Sequence, residues 1–368
     1  VRTLQTAITV CAILITALAP GCSKRSSNEP ESNGGGDIAG KLATSLHGTT
    51  RGMQYWYESA QGGFEELTGI PYDDLACKEC HVEPETCEFC HSGSAGARAE
   101  APHSVTQTNE DCYGCHGNQY AEALNGLTDY HRDVLDFQCN DCHGADDAHG
   151  DGVEYVSMHE AGAIKARCSN SDCHNSMPSN TFHDYHGGAD PIGADMECAA
   201  CHAQSVVTCY NCHFEHEVEG YGKLAYDQMT GWKFLLRRDR GEGKLVVDVG
   251  NLLAVTYQGK AFVTLAPYHA HTISKNAVSG CDDCHNNDYV REYLDTGEIK
   301  VVTWNEQHGF LEPNIRGSGI IPIPPDWRTS LRFDFVTYDD LVPGWTRLVP
   351  SETGKQMLFA EPLEGVPQ

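Results

Sequence analysis

The chain has 368 residues, with 52 acidic against 25 basic side chains and a formal net charge of −27. That balance excludes nucleic acid as a general partner, because an acidic surface repels a polyanion. Eighteen cysteines and nineteen histidines are the departure from ordinary composition that has to be explained.

Arg2 and the apolar stretch Ala7 to Ala19 read as a signal peptide, too short to span a membrane. The stretch ends Leu18-Ala19-Pro20-Gly21-Cys22-Ser23 and resembles a bacterial lipoprotein cleavage box, with Ala19 where Leu is usual. The resemblance implies that residues 1–21, Cys11 included, are removed and that Cys22 becomes a lipidated N-terminus. Ordinary cleavage nearby would instead leave Cys22 as a lone thiol. Residues 22–45 form the expected tether, since the run from Ser23 to Gly40 is polar, Gly/Ser-rich and aperiodic.

From residue 77 the cysteines fall into a repeat. Seven copies read C-x-x-C-H: Cys77/Cys80/His81, Cys87/Cys90/His91, Cys112/Cys115/His116, Cys139/Cys142/His143, Cys198/Cys201/His202, Cys209/Cys212/His213 and Cys281/Cys284/His285. An eighth is wider, Cys168/Cys173/His174. Two thiols at this spacing add to the two vinyl groups on one edge of a porphyrin, and the turn between them aims the next imidazole at the iron. Paired C-x-x-C knuckles also bind zinc, but zinc does not require histidine after every second cysteine. A disulfide framework would not keep so strict a local repeat. The motifs predict eight haem c groups, with the eight motif histidines as proximal ligands. For the wider motif the alternative is a local disulfide; C-x4-C-H also occurs in small tetrahaem cytochromes c3, which this stretch resembles in that feature alone.

Seven motifs crowd into residues 77–213, leaving little apolar sequence for a conventional core. The expected fold is a multihaem cytochrome c: mostly loops and short helices wrapped around a haem array, with a small β-containing C-terminal lobe. The haem stack is expected to replace the hydrophobic core, so that without haem the protein should be largely unfolded. Residues 46–220 are read as the haem-binding body (haems 1–7), 221–280 as a β-rich insertion, 281–308 as the haem 8 segment and 309–368 as a β/extended C-terminal segment. Two tight motif pairs, Cys77 to His91 and Cys198 to His213, leave room only for a turn and force their porphyrins together. Helical apolar spacing appears at Ala121 to Asp136 and Ser157 to Arg167.

Further along, Lys244 to Val249, Leu252 to Tyr257 and Ala261 to Leu265 are apolar, β-branched runs. Breaks at Gly250-Asn251 and Gln258-Gly259-Lys260 predict a meander. Ile299 to Trp304 and Leu331 to Tyr338 are further strand candidates, with an extended, proline-rich stretch at residues 321–325 between them. Trp232, Tyr257, Phe262, Trp327, Phe333 and Phe335 are expected in the core.

Eleven histidines lie outside the motifs. Nine form the candidate distal set: His47, His103, His131, His149, His159, His183, His186, His271 and His308. His216 and His269, each within three residues of another ligand or candidate, are left out. Nine suffice to close all eight irons, and two imidazoles hold iron low-spin at lower potential than a His/Met pair. The expectation is an electron carrier rather than a substrate-converting enzyme.

On these motifs, residues 47–308 resemble the octahaem c-type cytochromes exported by anaerobic, metal-respiring or sulfur-cycling bacteria. The resemblance implies electron transfer in the periplasm or at the outer membrane and cell surface, with a lipid anchor on Cys22. It also implies redox partner proteins (other c-type cytochromes or a quinol-linked donor) or an extracellular metal or mineral acceptor. Two alternatives stay open. Octahaem oxidoreductases of the tetrathionate, nitrite or hydroxylamine type keep one iron open, some with C-x-x-C-K or a greatly widened motif, and neither occurs in this sequence. A polymeric extracellular filament, a homo-polymer, would exchange a histidine between subunits; His47 and His308 flank the motif region where such a ligand would lie. Asp146, Asp147 and Asp151 read as a solvated acidic loop rather than a calcium site.

Overall fold

The computed structural model describes residues 37–75, 109–170, 172–174, 180–186, 196–219, 224–239, 243–276, 278–313, 319–339 and 344–367. The signal segment and Cys22 lie outside the described residues. So do the first motif (Cys77, Cys80, His81), the second (Cys87, Cys90, His91) and His103.

The strands are β1 (Val206–His213), β2 (Leu224–Asp239), β3 (Leu245–Tyr257), β4 (Lys260–Pro267), β5 (Ile299–Asn305), β6 (Phe310–Pro313), β7 (Gly319–Pro322), β8 (Leu331–Phe333), β9 (Phe335–Asp339), β10 (Gly344–Leu348) and β11 (Thr353–Met357). Six of them form one curled sheet in the order β11-β4-β3-β1-β2-β7, in which β2 also pairs with β3. Strands β6-β5-β8 and β10-β9 make two smaller sheets.

The sheet buries an apolar core of the ordinary kind. Trp232, Phe234 and Leu236 of β2 are fully buried against Val249 and Leu252 of β3, Ile320 and Ile321 of β7, and Val301 of β5. Each such side chain contributes about 1.5–3 kcal/mol on leaving water. Trp232, Tyr257, Phe262, Trp327 and Phe335 lie in the core as expected, while Phe333 packs against it only partly buried.

Several sequence expectations change. Gly250 does not end a strand: β3 runs through it, pairing with Phe234 on one side and Pro267 on the other. A Cβ there would stand 2.5 Å from Leu236 Cδ2 and 3.0 Å from the Ala266 carbonyl, so the glycine permits close strand approach rather than a turn. The helix expected over 121–136 runs instead from Gly117 to Leu124, breaks at Gly126 (φ +69°), and gives way to one π-helical turn, Tyr130–Val134. The helix expected over 157–167 is a chain of turns, with Gly162 at φ +88° and the Glu160 carboxylate accepting from the Val156 amide. Leu331 to Tyr338 divides into β8 and β9 at Asp334, whose amide donates to the Val302 carbonyl.

The sheet also reaches back into the segment read as haem-binding body. Strand β1 contains the entire seventh motif and pairs antiparallel with β2 along its length. The turn expected between Cys209 and Cys212 is therefore part of a strand. Its two intervening residues hold sheets together. Asn211, at φ +57°, donates from Nδ2 to the Val336 carbonyl at 2.6 Å and accepts from the Val336 amide at 2.8 Å. Tyr210 donates to the Asp334 carbonyl at 2.8 Å.

Candidate functional site

Three motifs are single helical turns, Cys139–Cys142, Cys198–His202 and Cys281–His285. Residues three apart on a helix share a face, so both thiols of each motif point the same way and the histidine follows at the end of the turn. Two of these motifs cap themselves. Asp141 accepts from the Gln138 amide at 2.7 Å, and Asp283 from the Gly280 amide at 2.7 Å, each satisfying a donor at its helix start.

The other three described motifs reach the same end differently. In the third, the helix Asn109–Tyr113 carries Cys112, and a turn closes it: the Cys115 and His116 amides both donate to the Cys112 carbonyl, at 3.2 and 3.0 Å. Cys112 is half-buried and Cys115 exposed. In the fifth, the wide motif, the His174 amide closes a loop onto the Cys168 carbonyl at 3.0 Å. In the seventh, an unbroken strand would send Cys209 and Cys212 to opposite faces. The positive φ of Asn211 interrupts that alternation, and the Cys212 thiol stands 4.0 Å from the Cys209 carbonyl. The twelve described motif cysteines carry no disulfide, Cys168 and Cys173 included. The thioether roles of Cys77, Cys80, Cys87 and Cys90, and the axial roles of His81 and His91, fall outside the described residues.

The fold brings motif histidines to face non-motif histidines. Five pairs have ring centres 6.0–6.3 Å apart: His116 with His47, His174 with His131, His143 with His271, His202 with His183, and His285 with His186. Two imidazoles on opposite faces of one iron have ring centres about 6 Å apart, from two bonds of about 2 Å and half a ring on each side. The partners come from unrelated parts of the chain. His47 follows the helix Ile38–Thr44, His131 sits in the π-helical turn, His183 and His186 share the helix Thr181–His186, and His271 follows β4.

Among the described residues, no group of three or more His, Cys, Asp or Glu side chains converges as a protein-only metal site. An iron in a porphyrin asks the protein for two axial nitrogens only, since the macrocycle supplies the rest. Other ring nitrogens of these residues are held by the protein. His143 Nδ1 donates to Asp147 at 3.1 Å, His202 Nδ1 to the Ser274 carbonyl at 3.2 Å, and His186 Nδ1 to the Phe182 carbonyl at 3.1 Å. Such bonds fix the tautomer and leave Nε2 to a metal.

Asp147 itself is held below the usual carboxylate range. Burial opposes its ionisation, but hydrogen bonds from His143 and the Lys165 and Ala166 amides outweigh that. Burial also lowers the pKa of His47, His116 and His174, and takes His271 down to about 4. These imidazoles are therefore neutral, the form that ligates a metal. Among the described residues, four buried ring nitrogens have no hydrogen-bond partner: His159 Nδ1, His213 Nδ1, His269 Nε2 and His271 Nδ1. The donor set and the spacing fit iron bound between paired imidazoles.

The seventh motif departs from this pattern. His213 lies 5.4 Å from His216, three residues on, with Trp345 as a further ring neighbour at 6.5 Å. A trans pair on one iron holds its two Cα atoms on the order of 12 Å apart, since each imidazole and its bond span about 6 Å. Three residues of helix rise only about 4.5 Å. His216 is therefore not the trans partner of His213.

His159 and His269 stack on each other at 5.4 Å and 15°, the first buried and the second half-buried, with burial taking their pKa values down to about 3 and about 2. His269 thus joins the candidate ligands, against the expectation from its spacing. The signal is in Tyr268-His269-Ala270-His271, where the two imidazoles alternate on an extended segment and i and i+2 share a side. His149 closes the helix Ala145–His149, and His308 stacks on Phe310 at 5.6 Å, so neither takes part in the five pairs. The three aspartates of the acidic loop are engaged by protein cations and amides: Asp146 by Lys41, Asp147 as above, and Asp151 by Lys165 at 2.7 Å.

Between the sixth and eighth motifs lies a buried lysine that sequence reasoning misses. Lys233 of β2 is 3% exposed and donates from Nζ to the carbonyls of Ala200 and Cys201 at 3.0 and 3.4 Å and to Ser279 Oγ. Three acceptors use all three N–H bonds of an ammonium. No helix among the described residues is long and apolar enough to cross a membrane. No family model, curated protein or solved structure matches the chain.

Proposed function

We propose that this chain is an octahaem c-type cytochrome that carries electrons along a line of bis-histidine irons. The observation that carries the reading is the set of five histidine pairs drawn from distant parts of the chain, each at the separation one iron requires. Haem c, when bound, supplies reversible one-electron chemistry with little change in iron geometry. The cysteines provide the thioether attachments, the motif histidines one axial nitrogen, and His47, His131, His183, His186 and His271 the other.

The remaining protein groups orient and tune. Asp147 fixes the ring of His143, and the Ser274 carbonyl fixes that of His202. Phe182 and Tyr185 flank His183 and His186 as exposed apolar side chains, surface of the kind a porphyrin face covers. The net charge of −27 suits a basic redox partner or a cationic metal acceptor. A lipid-anchored place at the cell envelope is part of the same proposal and rests on the sequence around Cys22.

His216 cannot close the iron at His213. Five non-motif histidines remain for that iron and the two at Cys77 and Cys87: His103, His149, His159, His269 and His308. Expression with a c-type haem maturation system followed by a pyridine haemochrome assay tests the proposal. Eight haems per chain are expected; a haem-free chain that retains zinc would overturn it.

A further inference from the structure

We infer that the electron path visits the third, fourth, fifth, sixth and eighth motifs in that order, with the eighth beside the sixth and the seventh off the line. The inference rests on the reading of the motifs as haem sites and adds their spatial order, which is not the order of the sequence.

The junction between the sixth and eighth motifs is fixed by three contacts. Helix Thr181–His186 gives His183 to the sixth motif and His186 to the eighth. Residues three apart on a helix have Cβ atoms about 5–6 Å apart, so the two irons they serve are neighbours. The Ser279 amide, two residues before Cys281, donates to the Cys201 carbonyl at 3.2 Å. Lys233 ties the same carbonyl to the Ser279 hydroxyl.

The earlier junctions are as direct. Between the third and fourth motifs, the side chains of Cys112 and Cys139 are close neighbours, and the Cys139 thiol donates to Asn109 Oδ1 at 2.9 Å. Asn109 accepts from the Cys139 amide at 2.8 Å, and a ring N–H of His47 donates to the Asp147 carbonyl beside the fourth motif. Between the fourth and fifth, Asp147 holds His143 and accepts from the Lys165 and Ala166 amides just before Cys168, while Cys142 lies within electrostatic reach of Cys173. Between the fifth and sixth, the side chains of Cys168 and Cys198 are close neighbours.

A pattern runs through these contacts. First cysteines are close neighbours at Cys112/Cys139 and Cys168/Cys198; second cysteines lie within electrostatic reach of each other at Cys142/Cys173 and Cys201/Cys284. Each intermediate motif has one cysteine near its predecessor and the other near its successor, which is the arrangement of a line and not of a cluster. The seventh motif is held instead inside β1, between β2 and β3.

Iron positions from anomalous scattering, in crystals of the haem-loaded full chain, test the order. The iron bound by His285 should have the iron bound by His202 as its nearest neighbour, and the five irons should lie in the stated sequence. If the nearest neighbour is the iron bound by His213, or the five irons lie in another order, the path is wrong while the function stands. If no iron is found at the motifs, both fall.

Discussion

His271 faces His143 with ring centres 6.1 Å apart, and burial keeps His271 neutral, with its pKa lowered to about 4. One residue follows a β-sheet strand and the other ends a cysteine motif, so only the tertiary fold makes them partners. Replacing His271 with Ala should leave one iron five-coordinate. Ferric EPR should then gain one high-spin centre per molecule with haem content unchanged; an unaltered spectrum would remove His271 from the ligand set. His183→Met should instead keep its iron low-spin and raise its midpoint by on the order of 100 mV.

His216 gives the opposite expectation. Three residues from His213, it cannot reach the far side of the same iron. His216→Ala should retain all eight haems and the spin-state distribution of the parent chain. A new high-spin signal in that variant would show that the local geometry at the seventh motif is misjudged.

Lys233 places a buried positive charge between the sixth and eighth motifs. Burial lowers its pKa, while the two carbonyls and the Ser279 hydroxyl around Nζ favour the ammonium form. A nearby cation disfavours ferric iron, so Lys233→Met should lower the midpoints of the irons at His202 and His285 by on the order of 50 mV. Spectroelectrochemical titration reads this directly, and unchanged midpoints would mean that the charge is screened from both irons.

Glu122 sets a pH dependence. It is fully buried, accepts from the Tyr268 hydroxyl at 2.8 Å, and leaves its Oε2 without a partner. Burial pushes its pKa up from 4.5 to about 7. The folded chain therefore binds this proton more tightly than the unfolded one. The stabilisation is complete below about pH 4.5 and is lost as pH rises through about 7. Glu122→Gln does not titrate, so by pH 8 it should be more stable than wild type by up to about 3 kcal/mol relative to the difference at pH 4.5. Urea unfolding of the two chains at both pH values measures it; parallel curves would contradict it.

The proposed attachment motifs are legible in sequence because their chemistry is local: two thiols and an imidazole within five residues, or seven in the wide motif. The distal partners are legible only as a set. Nothing in sequence joins His131 to His174 or His186 to His285, since those contacts depend on how the turns and sheet fold back. The β-runs around residues 244–265 are readable, but Gly250 looks like a break because a close strand approach and a turn both select glycine. The seventh motif hides its difference for a related reason. Tyr210 and Asn211 occupy its two variable positions, and their hydrogen bonds to β9 and the residue before it fix Cys209 and Cys212 in a strand.

The sheet has its own core, in which Leu236, Leu252 and Leu265 are no more than 1% exposed. A haem-free chain should therefore keep a β-type circular dichroism signal even where the motif region loses structure. Leu236→Ala should cost about 2–5 kcal/mol.

The measurement closest to the central claim is EPR of the fully oxidised, haem-loaded chain, with spins counted against total haem. Bis-histidine irons predict low-spin ferric signals, in number covering at least the five paired sites. High-spin signals from the irons at His116, His143, His174, His202 or His285 would contradict the histidine pairing and, with it, the reading of this chain as an electron line.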